Sequence, residues 1–279
     1  MEAVAIVGVG LIGGSFALAL RKAGFKGRIL GVSSPATVEE ALRRGVIDEA
    51  TSLEDAARSS DLIYLSQPIR RILETIPQLE AVARPEALIT DAGSTKAEIC
   101  RTARRHLRRA RFLGGHPMAG KESRGVAEAE ADLFTDRPYV LTPAERTDLD
   151  SPQAVEFVDW LHRIGARPVV FSAEEHDRQV AFTSHLPQLA STALAAALGS
   201  QEHTEKLEKI AGPGLRDMTR LALSPYDIWR DIFETNSEAV QAALDAYIRR
   251  LEAIRAAFGD NLEEQFRRAA EFTRRLRGR

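Results

Sequence analysis

Short, continuous aliphatic runs alternate with amphipathic stretches over the first 171 residues, and beyond them only helical periodicity remains. The first run, Val4-Ala5-Ile6-Val7, leads directly into Gly8, Gly10 and Gly13 and then into the helix-favouring residues 15–20. A strand buried on both faces reads as unbroken aliphatics, so this order predicts strand, glycine turn and helix. Further strands are predicted over 28–32, 61–66, 87–91, 111–114, 139–142 and 167–171, with helices over 37–44, 69–83, 96–107 and 152–164. In the 69–83 segment Ile69, Ile72, Leu73, Ile76 and Leu79 recur at helical spacing, and Pro77 is expected to kink or split that helix.

From residue 172 onward the pattern predicts helices over 174–198, 202–211, 215–223, 225–258 and 261–277. Gly199, Gly212, Pro213, Gly214 and Gly259 supply the breaks, and Pro187 should kink or divide the first helix. Ser224 before Pro225 reads as a cap followed by a helix-opening proline. The fold class is therefore α/β: an N-terminal Rossmann-type doubly wound sheet over residues 1–171 and an all-α C-terminal domain over 172–279. A length of 279 residues favours two domains on its own account.

Composition narrows the function classes. The 38 Lys and Arg nearly balance 40 Asp and Glu, a net charge of -2, so bulk charge suggests neither nucleic acid nor a membrane surface as partner. The basic stretch 101–111 lacks interleaved aromatics and reads as a solvated helix face. No apolar run approaches the roughly 18 residues of a membrane span. The chain opens on a strand instead of a leader, so a cytoplasmic location is expected. The single cysteine, Cys100, rules out an intrachain disulfide and reads as a small core residue.

The glycine turn predicts a dinucleotide site. Gly8, Gly10 and Gly13, with Leu11 and Ile12 between them, suit a tight turn, close approach of a pyrophosphate and helix-strand contact. The pyrophosphate would rest on free N–H groups at the helix start. NAD-selective units carry an acid about 20 residues further on, at the ribose 2′-hydroxyl. Here that position falls on Ser33, followed by Ser34, so the barrier to a 2′-phosphate is missing and the cofactor, NAD or NADP, leans to NADP. Ser66 and Pro68, after the 61–66 strand, and Ser94, after the 87–91 strand, stand at the strand ends that line a ligand crevice.

A nicotinamide dehydrogenase needs a group that accepts a proton as hydride leaves, and neutral histidine suits that task. For His106, His162, His176 and His203, charge and solvent are the simple explanation. His116, held between two glycines and Pro117, is the candidate base, with a structural loop histidine as the alternative. His185, before Pro187, is either a site residue or a buried, satisfied histidine. Arg216 and Arg220, four apart on one helix face, are candidates to hold a substrate carboxylate against the alternative of a surface ion pair. Trp229 reads first as core packing and second as a pocket wall. No His/Cys/Asp cluster has metal-ligand spacing, and no G-x-S-x-G elbow is present.

The segments V-G-V-G-L-I-G-G-S (7–15), D-A-G-S-T-K (91–96), G-G-H-P-M-A-G (114–120), S-H-L-P-Q (184–188), G-L-R-D-M-T-R (214–220) and W-R-D-I (229–232) together resemble the prephenate/arogenate dehydrogenase family of tyrosine biosynthesis. The resemblance implies a homodimer through the helical domain and an active site between the domains. It implies oxidative decarboxylation of prephenate to 4-hydroxyphenylpyruvate, or of arogenate to tyrosine. By this likeness His116 accepts the proton of the ring 4-hydroxyl, Ser94 lies near that hydroxyl, and His185 helps place the substrate side chain. Arg220 binds a substrate carboxylate, Arg216 supports it, and Glu122 stands at the pocket mouth. No regulatory module follows the helices, so feedback through an appended domain is not expected. The competing readings are a β-hydroxyacid or imine reductase, against which the G-G-H-P motif argues, and a catalytically silent dinucleotide sensor.

Overall fold

The computed structural model describes residues 1–121, 123–258 and 262–278. Its N-terminal part runs β1 (Ala3–Val7), α1 (Leu11–Lys22), β2 (Arg28–Val32), α2 (Pro35–Arg43), β3 (Glu49–Ala50), α3 (Leu53–Ser59), β4 (Leu62–Leu65), α4 (Ile69–Val82), β5 (Leu88–Asp91), α5 (Ala97–His106), β6 (Arg111–Pro117), β7 (Pro138–Thr142), α6 (Pro152–Arg163) and β8 (Arg167–Val170). The eight strands form one sheet in the order β3-β2-β1-β4-β5-β6-β7-β8. Every pairing is parallel except β6 with β7. The first six strands follow the doubly wound Rossmann order.

Alternation along the strands sends successive side chains to opposite faces, and both faces are covered. Val4 and Ile6 of β1 join Phe16, Tyr64, Tyr139 and Phe157 in one core layer. Ala5 and Val7 join Ile63, Ile72, Ile76 and Ile89 in the other. This double burial is why the strands carry no polar alternation. Pro77 lies inside α4, which runs from Ile69 to Val82 without being split, with Ile76 and Leu79 buried on either side of it.

Three local features depart from the sequence reading. β3 and α3 are additional elements, the first only two residues long and the second a seven-residue helix capped by Ser52. β6 continues through His116 to Pro117 because antiparallel β7 pairs with it, His116 opposite Val140, so the histidine sits within a strand and not on a turn after one. The helix expected over 225–258 is two helices divided at Asn236, and Pro225 caps the first of them instead of occupying its first turn.

Beyond β8 every described element is helical: α7 (Ala173–Val180), a π turn (Ala181–His185), α8 (Leu186–Gly199), α9 (Thr204–Ile210), α10 (Pro213–Thr219), a 3-10 turn (Arg220–Leu223), α11 (Tyr226–Thr235), α12 (Ser237–Ala256) and α13 (Leu262–Leu276). Pro187 divides the first of these as its chemistry requires. Proline has no N–H, and its ring crowds the carbonyl four residues back. The chain answers with a wider turn, in which the Leu186 N–H donates to Ala181 O, five residues earlier. That turn carries His185, which is buried.

Candidate active site

The glycine turn is built for close approach. Gly8 has φ 97°, and a side chain there would collide with the Ser66 backbone. A Cβ on Gly13 would lie 2.3 Å from Ser66 Oγ and 2.4 Å from Gly8 O, whereas one on Gly10 would meet nothing within 4 Å. Only the Gly10 side is open, which is where a pyrophosphate would sit. The first intrahelical bond to form is Gly14 N to Gly10 O at 2.8 Å, so the N–H groups of Leu11, Ile12 and Gly13 face that open side without a helical acceptor. These residues fit a dinucleotide.

Ser66 braces this turn: its hydroxyl donates to Gly8 O at 2.9 Å. Pro68 caps α4 just beyond. Ser33 and Ser34 are exposed at the end of β2, where α2 begins, and Ser34 Oγ lies 2.8 Å from Thr37 Oγ1. No carboxylate occupies that strand end.

The second half of the site is assembled at the ends of β5 and β6. Asp91 and Lys96 are both fully buried and form an ion pair. Asp91 also accepts the Gly93 N–H at 2.8 Å and the Gly115 N–H at 3.1 Å, while Lys96 Nζ donates to Gly115 O at 2.8 Å. The pair therefore grips both polar groups of the residue before His116. Ser94, half-buried, lies between Gly93 and Thr95, and Thr95 Oγ1 meets Thr235 Oγ1 of α11 at 2.7 Å.

His116 is buried, and its Nδ1 lies 2.8 Å from Nε2 of His176 on α7. His176 Nδ1 lies in turn 2.8 Å from Asp177 Oδ1. Asp177 accepts the backbone N–H of Lys96 at 2.7 Å and of Ala97 at 2.8 Å, capping α5 from the helical region. Asn236 donates to Asp177 O at 2.8 Å and lies 3.4 Å from His185 Nδ1. The His185 ring meets Trp229 edge-on at 6.0 Å between centroids, and Trp229 stacks on Phe233. Trp229 thus walls in a histidine as well as packing, and its Nε1 donates to Ser224 Oγ at 2.9 Å.

Burial pushes the His116 imidazole well below its usual range, and His176, Lys96 and His185 reinforce the shift. His185 is lowered to about 4, again mainly by burial. His176 is lowered by burial against the opposing pull of Asp177. Three neutral imidazoles therefore lie together at neutral pH. Cys100 fits a packing role, its thiol pushed up to about 11 by burial.

His176 overturns the reading that charge and solvent explain it: it is 1% exposed and bonded to His116. The available signal was periodicity. His176 and Val180 are four apart on one helix face, and both are buried. Lys96, Asp177 and Asn236 were likewise not singled out, because a sequence cannot announce that distant polar groups will share one buried network. Arg216 is exposed on α10, and Arg220, also exposed, opens the 3-10 turn. That turn is tied to α8 by Gln188 donating to Leu221 O at 2.9 Å. Glu122 lies outside the described residues. Among the described residues no group of His, Cys, Asp or Glu is placed to hold a metal ion, and no helix is long and apolar enough to cross a membrane.

A Rossmann sheet with a dinucleotide-fitted glycine turn, and a helical region that closes neutral histidines over the same sheet edge, define an NAD(P)-dependent dehydrogenase. The chain belongs to the prephenate dehydrogenase family. Residues 16–170 match the family's nucleotide-binding domain and residues 172–272 its dimerization domain. The chain is 35% identical over 97% of its length to prephenate dehydrogenase of Bacillus subtilis, covering 75% of that protein. It is 31% identical over 95% of its length to cyclohexadienyl dehydrogenase of Zymomonas mobilis, covering 92%. Among solved structures it superposes on Aquifex aeolicus prephenate dehydrogenase, in complex with hydroxyphenyl propionate and NAD+, with TM-score 0.90 at 33% identity, covering 99% of this chain and 98% of that one. Synechocystis arogenate dehydrogenase gives TM-score 0.81 at 30% identity, covering 99% of each chain.

Proposed function

We propose that this chain catalyses the oxidative decarboxylation of prephenate to 4-hydroxyphenylpyruvate, with His116 as the general base. The observation that carries this reading is a histidine held neutral and buried at the carboxyl edge of a dinucleotide-fitted sheet. A base must be unprotonated before it acts, and burial secures that at neutral pH. The bound nicotinamide supplies the hydride acceptor. His116 takes the proton of the ring 4-hydroxyl as C4 gives up hydride, and loss of the ring carboxylate as CO2 then restores aromaticity. Ser94 stands beside that hydroxyl, and His185, braced by Asn236 and Trp229, borders the substrate side chain. Arg220 takes a substrate carboxylate, with Arg216 in support.

The chain divides at residues 171/172, where the last strand gives way to helices, and it dimerises through the helical domain. Ile210, Leu223, Phe258, Phe266 and Leu276 stand more than two thirds exposed there, an apolar surface that a soluble chain covers by association. With Ser33 and Ser34 in place of an acid, the ribose site admits a 2′-phosphate, and NADP serves at least as well as NAD.

Absorbance of the reduced nicotinamide, followed with prephenate or arogenate and with NAD or NADP, tests all of this together. Prephenate with NADP should give the highest kcat/KM. Faster turnover of arogenate would make the enzyme an arogenate dehydrogenase, and reduction of neither cofactor with either substrate would end the dehydrogenase reading.

A further inference from the structure

The polar groups behind His116 fix which of its two nitrogens carries the proton. Asp177 is surrounded by donors: the N–H groups of Lys96 and Ala97 at 2.7 and 2.8 Å, and His176 Nδ1 at 2.8 Å. A carboxylate there can only accept, so His176 must carry its proton on Nδ1. Because burial keeps His176 neutral, its Nε2 is then bare and can only accept. The group facing it at 2.8 Å is His116 Nδ1, which must therefore be the protonated nitrogen. His116 Nε2 is left with its lone pair free.

We propose that His176 is a positioning residue that, backed by Asp177, locks His116 in the Nδ1–H tautomer and so presents Nε2 as the proton acceptor. The inference rests on the proposed role of His116 as base. When Nε2 takes the substrate proton, the new positive charge on His116 lies one imidazole away from the Asp177 carboxylate, with a hydrogen bond at each junction. No second proton needs to move. The chain of groups also crosses from sheet to helices, since His116 lies on β6 while His176 and Asp177 lie on α7. Asp177 is held in turn by the start of α5, so the tautomer is set only when the helical region is docked against the sheet.

The test combines a tautomer measurement with two substitutions. In protein labelled with 15N-histidine, the His116 resonances, assigned by their loss in His116→Asn, should show Nδ1 protonated and Nε2 bare near neutral pH. His176→Leu should lower kcat roughly 10²–10⁴-fold, the scale of a general base left in the wrong tautomer, with KM for substrate and cofactor little changed. His176→Gln, whose side-chain oxygen can accept the His116 Nδ1–H, should recover to within about tenfold of the parent. A proton found on His116 Nε2 would overturn the proposal, as would an unchanged kcat in His176→Leu. A loss in His176→Gln as deep as in His176→Leu would reduce His176 to packing. Should His176→Leu fail to fold, the tautomer of the unmodified enzyme decides. Should the unmodified enzyme turn over neither prephenate nor arogenate, the proposed reaction falls while the tautomer measurement still judges the lock.

Discussion

The glycine turn and the histidine site do comparable work on one sheet edge, yet they are made differently. The turn is local: Gly8 to Gly14 form the loop and helix start, braced at Gly8 by Val32 O, which accepts its N–H at 2.8 Å, and by the Ser66 hydroxyl. The histidine site is assembled from β5, β6, α5, α7, the π turn, α11 and the Asn236 break, joined by buried and part-buried polar contacts and by the edge-on contact of His185 with Trp229. A site of the first kind depends on empty space, and one of the second kind depends on partners. Removing a partner should therefore cost stability where adding an atom to empty space costs only ligand.

The largest stability effect is expected from the partner-dependent site. Lys96→Met leaves the Asp91 carboxylate buried without its cation, and breaking a buried pair from one side costs roughly 3–5 kcal/mol. Denaturant unfolding at fixed protein concentration measures it. A loss below about 1 kcal/mol would mean that Asp91 finds water or another donor, and the contrast with the glycine turn would weaken.

Two glycines divide the turn itself. Gly13→Ala drives a methyl into Gly8 O and Ser66 Oγ and should cost roughly 1–3 kcal/mol of stability along with cofactor affinity. Gly10→Ala meets no protein atom and should leave the melting temperature unchanged while weakening dinucleotide binding. Calorimetric melting and cofactor titration of the two variants separate fold space from ligand space. Equal destabilisation by both would show that Gly10 is kept for its backbone and not for a phosphate.

The third effect is graded with pH and smaller per histidine and pH unit. The unfolded chain binds protons at histidine near pH 6.5, whereas His116, His176 and His185 hold them off until lower pH when folded. Their contribution is fully present above pH 6.5 and is lost as the pH falls toward the folded values, about 4 for His185. Each such histidine should cost roughly 1 kcal/mol of stability per pH unit below 6.5 until its folded value is reached. Melting curves from pH 7 to pH 4.5 should show this decline, and a reduced slope in His185→Asn. A flat profile would place all three histidines in contact with solvent.

The same contrast explains what was legible in the sequence. Periodicity located most strands and the main helices because double burial leaves an unbroken aliphatic signature, as in β1 and β4. The glycine turn was readable residue by residue because its constraints are local. His116 and His185 stood out through rigid neighbours, Pro117 and Pro187. β3 was too short for any period to register, and α3 fell in a stretch whose buried residues are only Ala56 and Ala57. His176 was misjudged because a histidine flanked by Glu175 and Asp177 has the composition of a surface turn. Only the fold shows that α7 turns that face inward against β6. The strand over 139–142 was legible, but its antiparallel direction left no local mark, and that pairing is what extends β6 through His116.

In the proposed reaction the turn holds the dinucleotide and His116 decides what is done with it. His116→Asn tests it most directly, with cofactor binding followed by titration and turnover followed at the reduced-nicotinamide absorbance. Cofactor affinity should stay within about twofold while kcat falls roughly 10²–10⁴-fold, the range of a lost general base. Unchanged kcat, or a loss accounted for by weaker cofactor binding, would contradict the account.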